Sequence, residues 1–67
     1  MSVLKVIEIL SQSTTSWEDA AQKAVDEASK SVKSIRSVYV QDQSAEVENN
    51  KIFSYRVNVK ITFSVEH

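Results

Sequence analysis

The sequence predicts an α+β protein of order β-α-β-β, in which a three-stranded antiparallel sheet partly wraps around one helix. Two patterns carry this prediction. From Phe53 to Val65, apolar and polar residues alternate without interruption, as in a strand with one buried face. Between Trp17 and Ile35, apolar residues recur at the three- and four-residue spacing of a helix. Alanines dominate this stripe, so we expect the helix to lie close against a curved sheet.

The first strand is predicted at Val3–Leu10, because β-branched residues are frequent there. Its alternation is imperfect, since Lys5 and Glu8 fall on opposite faces. Such a pattern is typical of a strand that is covered on both sides. Residues 11–14 are polar and are predicted to connect this strand to the helix.

The helix is predicted to begin at Thr15 or Ser16. Thr15 and Glu18 have the spacing of a capping box, and Ser16 is an equal alternative as the cap. We expect Trp17, the largest hydrophobic residue, to anchor the core rather than to stack on a ligand. The apolar stripe consists of Trp17, Ala20, Ala21, Ala24, Val25, Ala28, Val32 and Ile35.

The second and third strands are predicted to form a hairpin. Ser34–Val47 is the second strand, and the adjacent residues Asn49 and Asn50 are predicted to turn it into the third. The chain contains no glycine or proline, and asparagine is the residue that best tolerates a left-handed backbone in their place.

The third strand, Phe53–Val65, predicts an oligomer. It would extend about 40 Å, whereas the mean strand has about 5–6 residues. A chain of 67 residues buries little surface and usually needs disulfides, a metal or self-association. Cysteine is absent, which excludes disulfides and thiolate metal sites. Self-association is therefore the expected means of stabilising this small chain.

Composition excludes several classes of function. We expect one domain over residues 1–67, with a net charge of −1 and intermixed charges that argue against nucleic-acid binding. Apolar runs are too short for a signal peptide or a membrane span, so a cytoplasmic protein is predicted. Without an internal histidine or a buried carboxylate, an enzyme is not expected.

Two candidate binding groups lie on the hairpin. Asp42 and Glu46 are four residues apart on a strand and share a face with Ser44, so their oxygens suit calcium or magnesium if symmetry multiplies them. Arg56 lies on the polar face of the third strand. It could bind a carboxylate or phosphate, or neutralise Asp42 or Glu46 across the hairpin.

The chain resembles the dodecin family over nearly its whole length. The resemblance rests on the first strand KVIEI, the Thr-Ser-Trp helix start with its alanine stripe, and the last strand YRVNVKITF. It implies a hollow homododecamer of β-α-β-β chains. It also implies a flavin site, in which isoalloxazine rings stack between tryptophans of symmetry-related chains and bond to a glutamine.

Both flavin-site positions are substituted in this chain. The tryptophan position is Ser37 and the glutamine position is Arg56. Serine offers no stacking surface. The pattern is closer to the calcium-binding branch of the family, which also has Ser-Trp at the helix start.

The sequence therefore predicts a non-enzymatic shell that binds or stores a small molecule or ion, with a cation or an anionic molecule favoured over flavin. The alternatives are a flavin-sequestering protein that uses other contacts, with riboflavin or FMN as the ligand, and a purely structural shell.

Overall fold

The computed structural model describes residues 3–65. Its elements are β1 (Val3–Ser13), α1 (Trp17–Ala28), β2 (Ile35–Glu48) and β3 (Lys51–Val65). The strands form one antiparallel sheet of order β1-β3-β2, so the long alternating strand is the central one. The predicted α+β fold is confirmed.

The core lies between the alanine stripe of α1 and the middle of β3. Its fully buried members lie four residues apart on the helix and two apart on the strand, as one face of each element requires. The small alanine side chains let the helix axis approach the sheet closely, and the branched side chains of β3 fill the space between. These core residues are Ala20, Ala24, Ala28, Val57, Val59 and Ile61.

The first strand is longer than predicted. Residues 11–13 were expected to be a connection, but they continue β1 and pair with Val57, Arg56 and Tyr55 of β3. The central strand supplies an unbroken row of hydrogen-bonding groups, and pairing with it outweighs the low strand preference of serine.

The helix begins at the second of the two predicted caps. The Ser16 hydroxyl accepts a hydrogen bond from the Asp19 N–H at 3.0 Å, whereas the Thr15 N–H donates to Ser13 Oγ at 2.9 Å. The predicted capping box of Thr15 and Glu18 is therefore replaced by a Ser16 cap.

The helix ends earlier than the apolar stripe suggested. Its last residue is Ala28, and the Ser29 hydroxyl donates to the Asp26 carbonyl at 2.7 Å. Serine side chains compete in this way with helix continuation. Val32 and Ile35 still pack against the core, but from the loop and from the start of β2. The predicted helical position of Val32 was wrong, whereas Ile35 belongs to the second strand, within the range 34–47 that was predicted for it.

The hairpin turns at the predicted asparagines. Asn49 and Asn50 have φ angles of 54° and 64°, between the paired residues Glu48 and Lys51. Two consecutive positive φ values define the tight turn that matches strand twist. The second strand, Ile35–Glu48, begins one residue later and ends one residue later than predicted. The third strand, Lys51–Val65, begins two residues earlier than predicted and ends where predicted.

The chain is elongated and leaves large apolar side chains exposed. It extends 51 × 19 × 13 Å, with a radius of gyration of 13.7 Å, whereas a compact domain of this length has about 11 Å. On the sheet face away from the helix, which we call the outer face, Leu4, Val6 and Leu10 are more than half exposed.

Candidate functional site

A depression of about 590 Å³ lies on the outer face, where all three strands are paired. We call it the outer-face depression. The strand register aligns its side chains, because Asn58 lies opposite both Leu10 and Asp42, and Arg56 lies opposite both Gln12 and Ser44. The outer-face side chains that line it belong to Leu10, Gln12, Asp42, Ser44, Arg56 and Asn58.

A bulge in β2 sets this register. The pairing with β3 shifts between Val40 and Asp42, which leaves Gln41 without a partner in the register. From Asp42 to Glu46 the pairing is regular, so Asp42, Ser44 and Glu46 share the outer face, as the sequence predicted.

Arg56 is neutralised by Glu46. Its Nη2 atom lies 3.0 Å from Glu46 Oε2, and its Nε donates to Gln12 Oε1 at 3.4 Å. Both charged side chains are partly exposed, so the pair contributes at most about 1 kcal/mol to stability. Of the two partners that the sequence left open for Arg56, the structure selects Glu46.

Asp42 forms no ion pair within residues 3–65. Its cross-strand partner Asn58 has an Oδ1 atom that is buried and lacks a hydrogen-bond partner among the described residues. A buried acceptor without a donor typically costs about 1–3 kcal/mol. The depression is therefore lined by an unpaired carboxylate and by an asparagine whose amide oxygen is buried and unsatisfied.

Ser37 and Arg56 do not meet within one chain. Ser37 is exposed on the outer face opposite Thr62, six residues from Arg56 along β3. At the rise of a strand this separation is about 20 Å. Only residues of different chains could bring these two positions into one pocket.

Trp17 connects the helix start to the same part of β2. Its indole Nε1 donates to the Ser44 carbonyl at 2.9 Å, and its ring meets Tyr55 edge to face at 4.8 Å. Trp17 is half-buried and packs against the core, at its margin rather than its centre. Because Ser44 also lines the outer-face depression, the single tryptophan is placed to report changes there.

A second polar network holds the start of α1. Asp19 accepts a hydrogen bond from the Ser13 hydroxyl at 2.6 Å and lies 3.3 Å from Lys23 Nζ. The bond from Ser13, and then the contact with Lys23, lower the pKa of Asp19. This carboxylate ties the start of the helix to the end of β1 and does not line the depression.

Neither a complete metal cage nor a membrane helix is present in the described part of the chain. Among residues 3–65, no group of three or more histidine, cysteine, aspartate or glutamate side chains could hold a metal. No helix in that range is long and apolar enough to cross a membrane. A cation site built from residues 3–65 must therefore use neutral oxygens or a second copy.

The comparisons with known proteins define the family. The dodecin family model matches residues 3–66, so the chain belongs to the dodecin family. It is 42% identical over 65 residues to calcium dodecin of Mycobacterium tuberculosis, covering 97% of this chain and 92% of that protein.

Solved structures agree with this assignment. The crystal structure of calcium dodecin from M. tuberculosis, described as calcium chelating with a novel calcium-binding site, has a TM-score of 0.81 and covers 97% of this chain and 93% of its own. A dodecin from Streptomyces coelicolor has a TM-score of 0.90 at 21% identity, covering 98% and 94%. At that identity the second likeness shows the fold alone.

Sequence reasoning missed part of the depression. Leu10 and Gln12 belong to it only because of the register between β1 and β3, which a single sequence does not contain. Asn58 was visible on the polar face of the third strand, and its position opposite Asp42 follows from the bulge at Gln41.

Proposed function

We propose that this dodecin is a non-enzymatic binding protein for a divalent cation, with Asp42 as the charged ligand in the outer-face depression. The observation that carries the proposal is the pairing of Arg56 with Glu46 at 3.0 Å. It cancels the only cation among the lining residues and leaves the Asp42 carboxylate as the uncompensated charge. The 42% identity to a calcium dodecin supports the same ligand class.

Calcium fits the arrangement better than magnesium or an anion. Calcium accepts flexible sets of carboxylate, amide and hydroxyl oxygens, whereas magnesium demands near-octahedral geometry and keeps most of its waters. An anionic ligand would have to displace Glu46 from Arg56 and would then face Asp42. Glu46, predicted with Asp42 as a metal ligand, is proposed to act as the counter-ion of Arg56 instead.

We further propose that the chain functions as a hollow homododecamer, the assembly known for dodecins. The small alanine-lined core, the elongated shape and the exposed Leu4, Val6 and Leu10 support self-association. Large apolar patches on a chain of this size are typical of interfaces. Equivalent depressions of neighbouring copies would add oxygen ligands that one chain lacks.

Thermal unfolding with and without calcium tests the cation proposal. Binding to the folded assembly alone raises the melting temperature, and the increase grows with calcium concentration. We expect calcium chloride to stabilise the wild type and to have a much smaller effect on Asp42→Asn. Glu48→Gln is the matched control, because it removes a carboxylate of the same strand that does not line the depression and should retain the calcium response.

Two other outcomes would replace the proposal. A melting temperature that is insensitive to calcium in the wild type would favour a purely structural shell. A yellow protein with visible absorption after purification would favour a flavin-sequestering function through contacts other than Ser37 and Arg56.

A further inference from the structure

We propose that Asn58 is the second protein ligand of the cation, binding it through Oδ1 together with the Asp42 carboxylate. This inference rests on the proposed function and extends it from one ligand to a cross-strand pair. It assigns a role to the one side-chain atom of the described chain that is buried without a partner.

The strand register places the two groups next to each other. Asp42 and Asn58 are direct partners in the antiparallel pairing of β2 and β3, and both line the outer-face depression. Side chains at directly opposite positions have Cβ atoms about 4.5–5.5 Å apart. Two oxygens at the ends of such side chains can therefore lie on one calcium ion, whose ligand distances are about 2.3–2.6 Å.

The Asn58 oxygen has no hydrogen-bond partner within residues 3–65 that would compete with cation binding. An asparagine beside an aspartate ordinarily donates its amide N–H to the carboxylate, yet no hydrogen bond joins Asn58 to Asp42 within residues 3–65. The Asn58 oxygen is closed off from solvent and unsatisfied. Rotation about χ2, a torsion with broad preferences, turns this oxygen toward the depression. A hard cation there binds the Asn58 oxygen and the Asp42 carboxylate at once, while the Asn58 amide NH2 group takes the position that the oxygen leaves.

The remaining polar groups of the depression are less suited to bind the cation. The Gln12 Oε1 atom already accepts from Arg56, and Glu46 is paired with the same guanidinium. Ser44, two residues from Asp42 on the outer face, offers one further hydroxyl oxygen. Calcium takes about 6–8 oxygens, so water or another copy completes its shell.

Calcium titration calorimetry on the assembled protein tests the pair. Asn58→Leu removes the oxygen and should weaken calcium binding at least tenfold. Asn58→Asp keeps the size and adds a charged ligand, so it should tighten binding and should lower the melting temperature when calcium is absent. Gln41→Leu is the control, because it removes an exposed amide next to Asp42 that does not line the depression.

The variants separate the two proposals. If Asp42→Asn weakens calcium binding while both Asn58 variants bind like the wild type, the role of Asn58 is overturned and the proposed function survives. If the wild type binds no calcium, or Asp42→Asn binds it equally well, both proposals fall. Should Asn58→Leu fail to assemble, the near-isosteric Asn58→Asp decides alone, and unchanged affinity would overturn the inference.

Discussion

Restoring an aromatic wall at Ser37 and an amide at Arg56 should create a flavin site in this chain. Both positions lie on the outer face, and about 20 Å separates them within one chain, so a ring bound between them must lie between copies. The wild type is expected to bind riboflavin at least tenfold more weakly than a dodecin that has the tryptophan and glutamine.

Two lost interactions determine the expected difference in riboflavin affinity. Aromatic stacking contributes about 0.5–1.5 kcal/mol for each ring pair beyond the buried area, and Ser37 supplies none. A neutral ring over Arg56 would also disturb its contact with Glu46 at 3.0 Å, a partly exposed pair worth at most about 1 kcal/mol. At the upper ends of these ranges the two losses together reach about 2.5 kcal/mol, more than the roughly 1.4 kcal/mol that corresponds to a tenfold change in affinity.

Quenching of riboflavin fluorescence measures the affinity of the wild type and of the variants for riboflavin. The triple variant Ser37→Trp, Arg56→Gln, Glu46→Gln should recover binding, with Glu46 changed because it would otherwise lose its partner. A control triple variant with leucine at position 37 should recover much less. Strong quenching by the wild type would refute the reasoning, and would point to the exposed Tyr39 of the outer face as the stacking group.

Three further predictions concern assembly, backbone and pH. Light scattering should give a mass near twelve times the 7.5 kDa of one chain, and a stable monomer or dimer at micromolar concentration would contradict the assembly proposal. Ser34 has a φ angle of 59°, where glycine is unstrained, so Ser34→Gly should stabilise by roughly 0.5–1 kcal/mol in urea unfolding, and Ser34→Ala should not. The pKa of Asp19 is lowered below its ordinary 3.8 in the folded chain, so its ionised form stabilises the fold above that pH, and this contribution disappears as the pH falls through the folded value. Asp19→Asn should reduce the loss of unfolding free energy on acidification below about pH 4, and an equally steep loss in the variant would exclude this role.

The sequence predicted those elements whose local signals agree with the tertiary structure. The alternation from Phe53 to Val65 predicted the central strand, because its inward residues contact the helix directly. The pair Asn49 and Asn50 predicted the turn, because both residues need positive φ and glycine is absent. The shared face of Asp42 and Glu46 followed from the period of a strand.

The errors arose where tertiary pairing overrides local preference. Residues 11–13 are polar, yet they join β1 because the long central strand offers them hydrogen-bonding partners. The spacing of Val32 and Ile35 matches a helix, but the serines after Ala28 end it and both residues reach the core by another path.

The candidate site was predicted only in part, because it too depends on how the strands pair. Its composition on β2 and β3 could be read from the alternation, but the partner of Arg56 depends on how far the strands are shifted. The bulge before Asp42 places Ser44 opposite Arg56 and Glu46 on the diagonal, within reach of a long side chain. No local signal in the sequence fixes this shift.

Location of bound calcium in crystals of the wild type tests the central claim most directly. Anomalous difference density, recorded at long wavelength from crystals grown with calcium chloride, identifies the ion by its element and its ligands. We predict a peak in the outer-face depression within about 2.3–2.6 Å of an Asp42 carboxylate oxygen. Calcium peaks located only elsewhere, with Asp42 bound to none of them, would contradict the account.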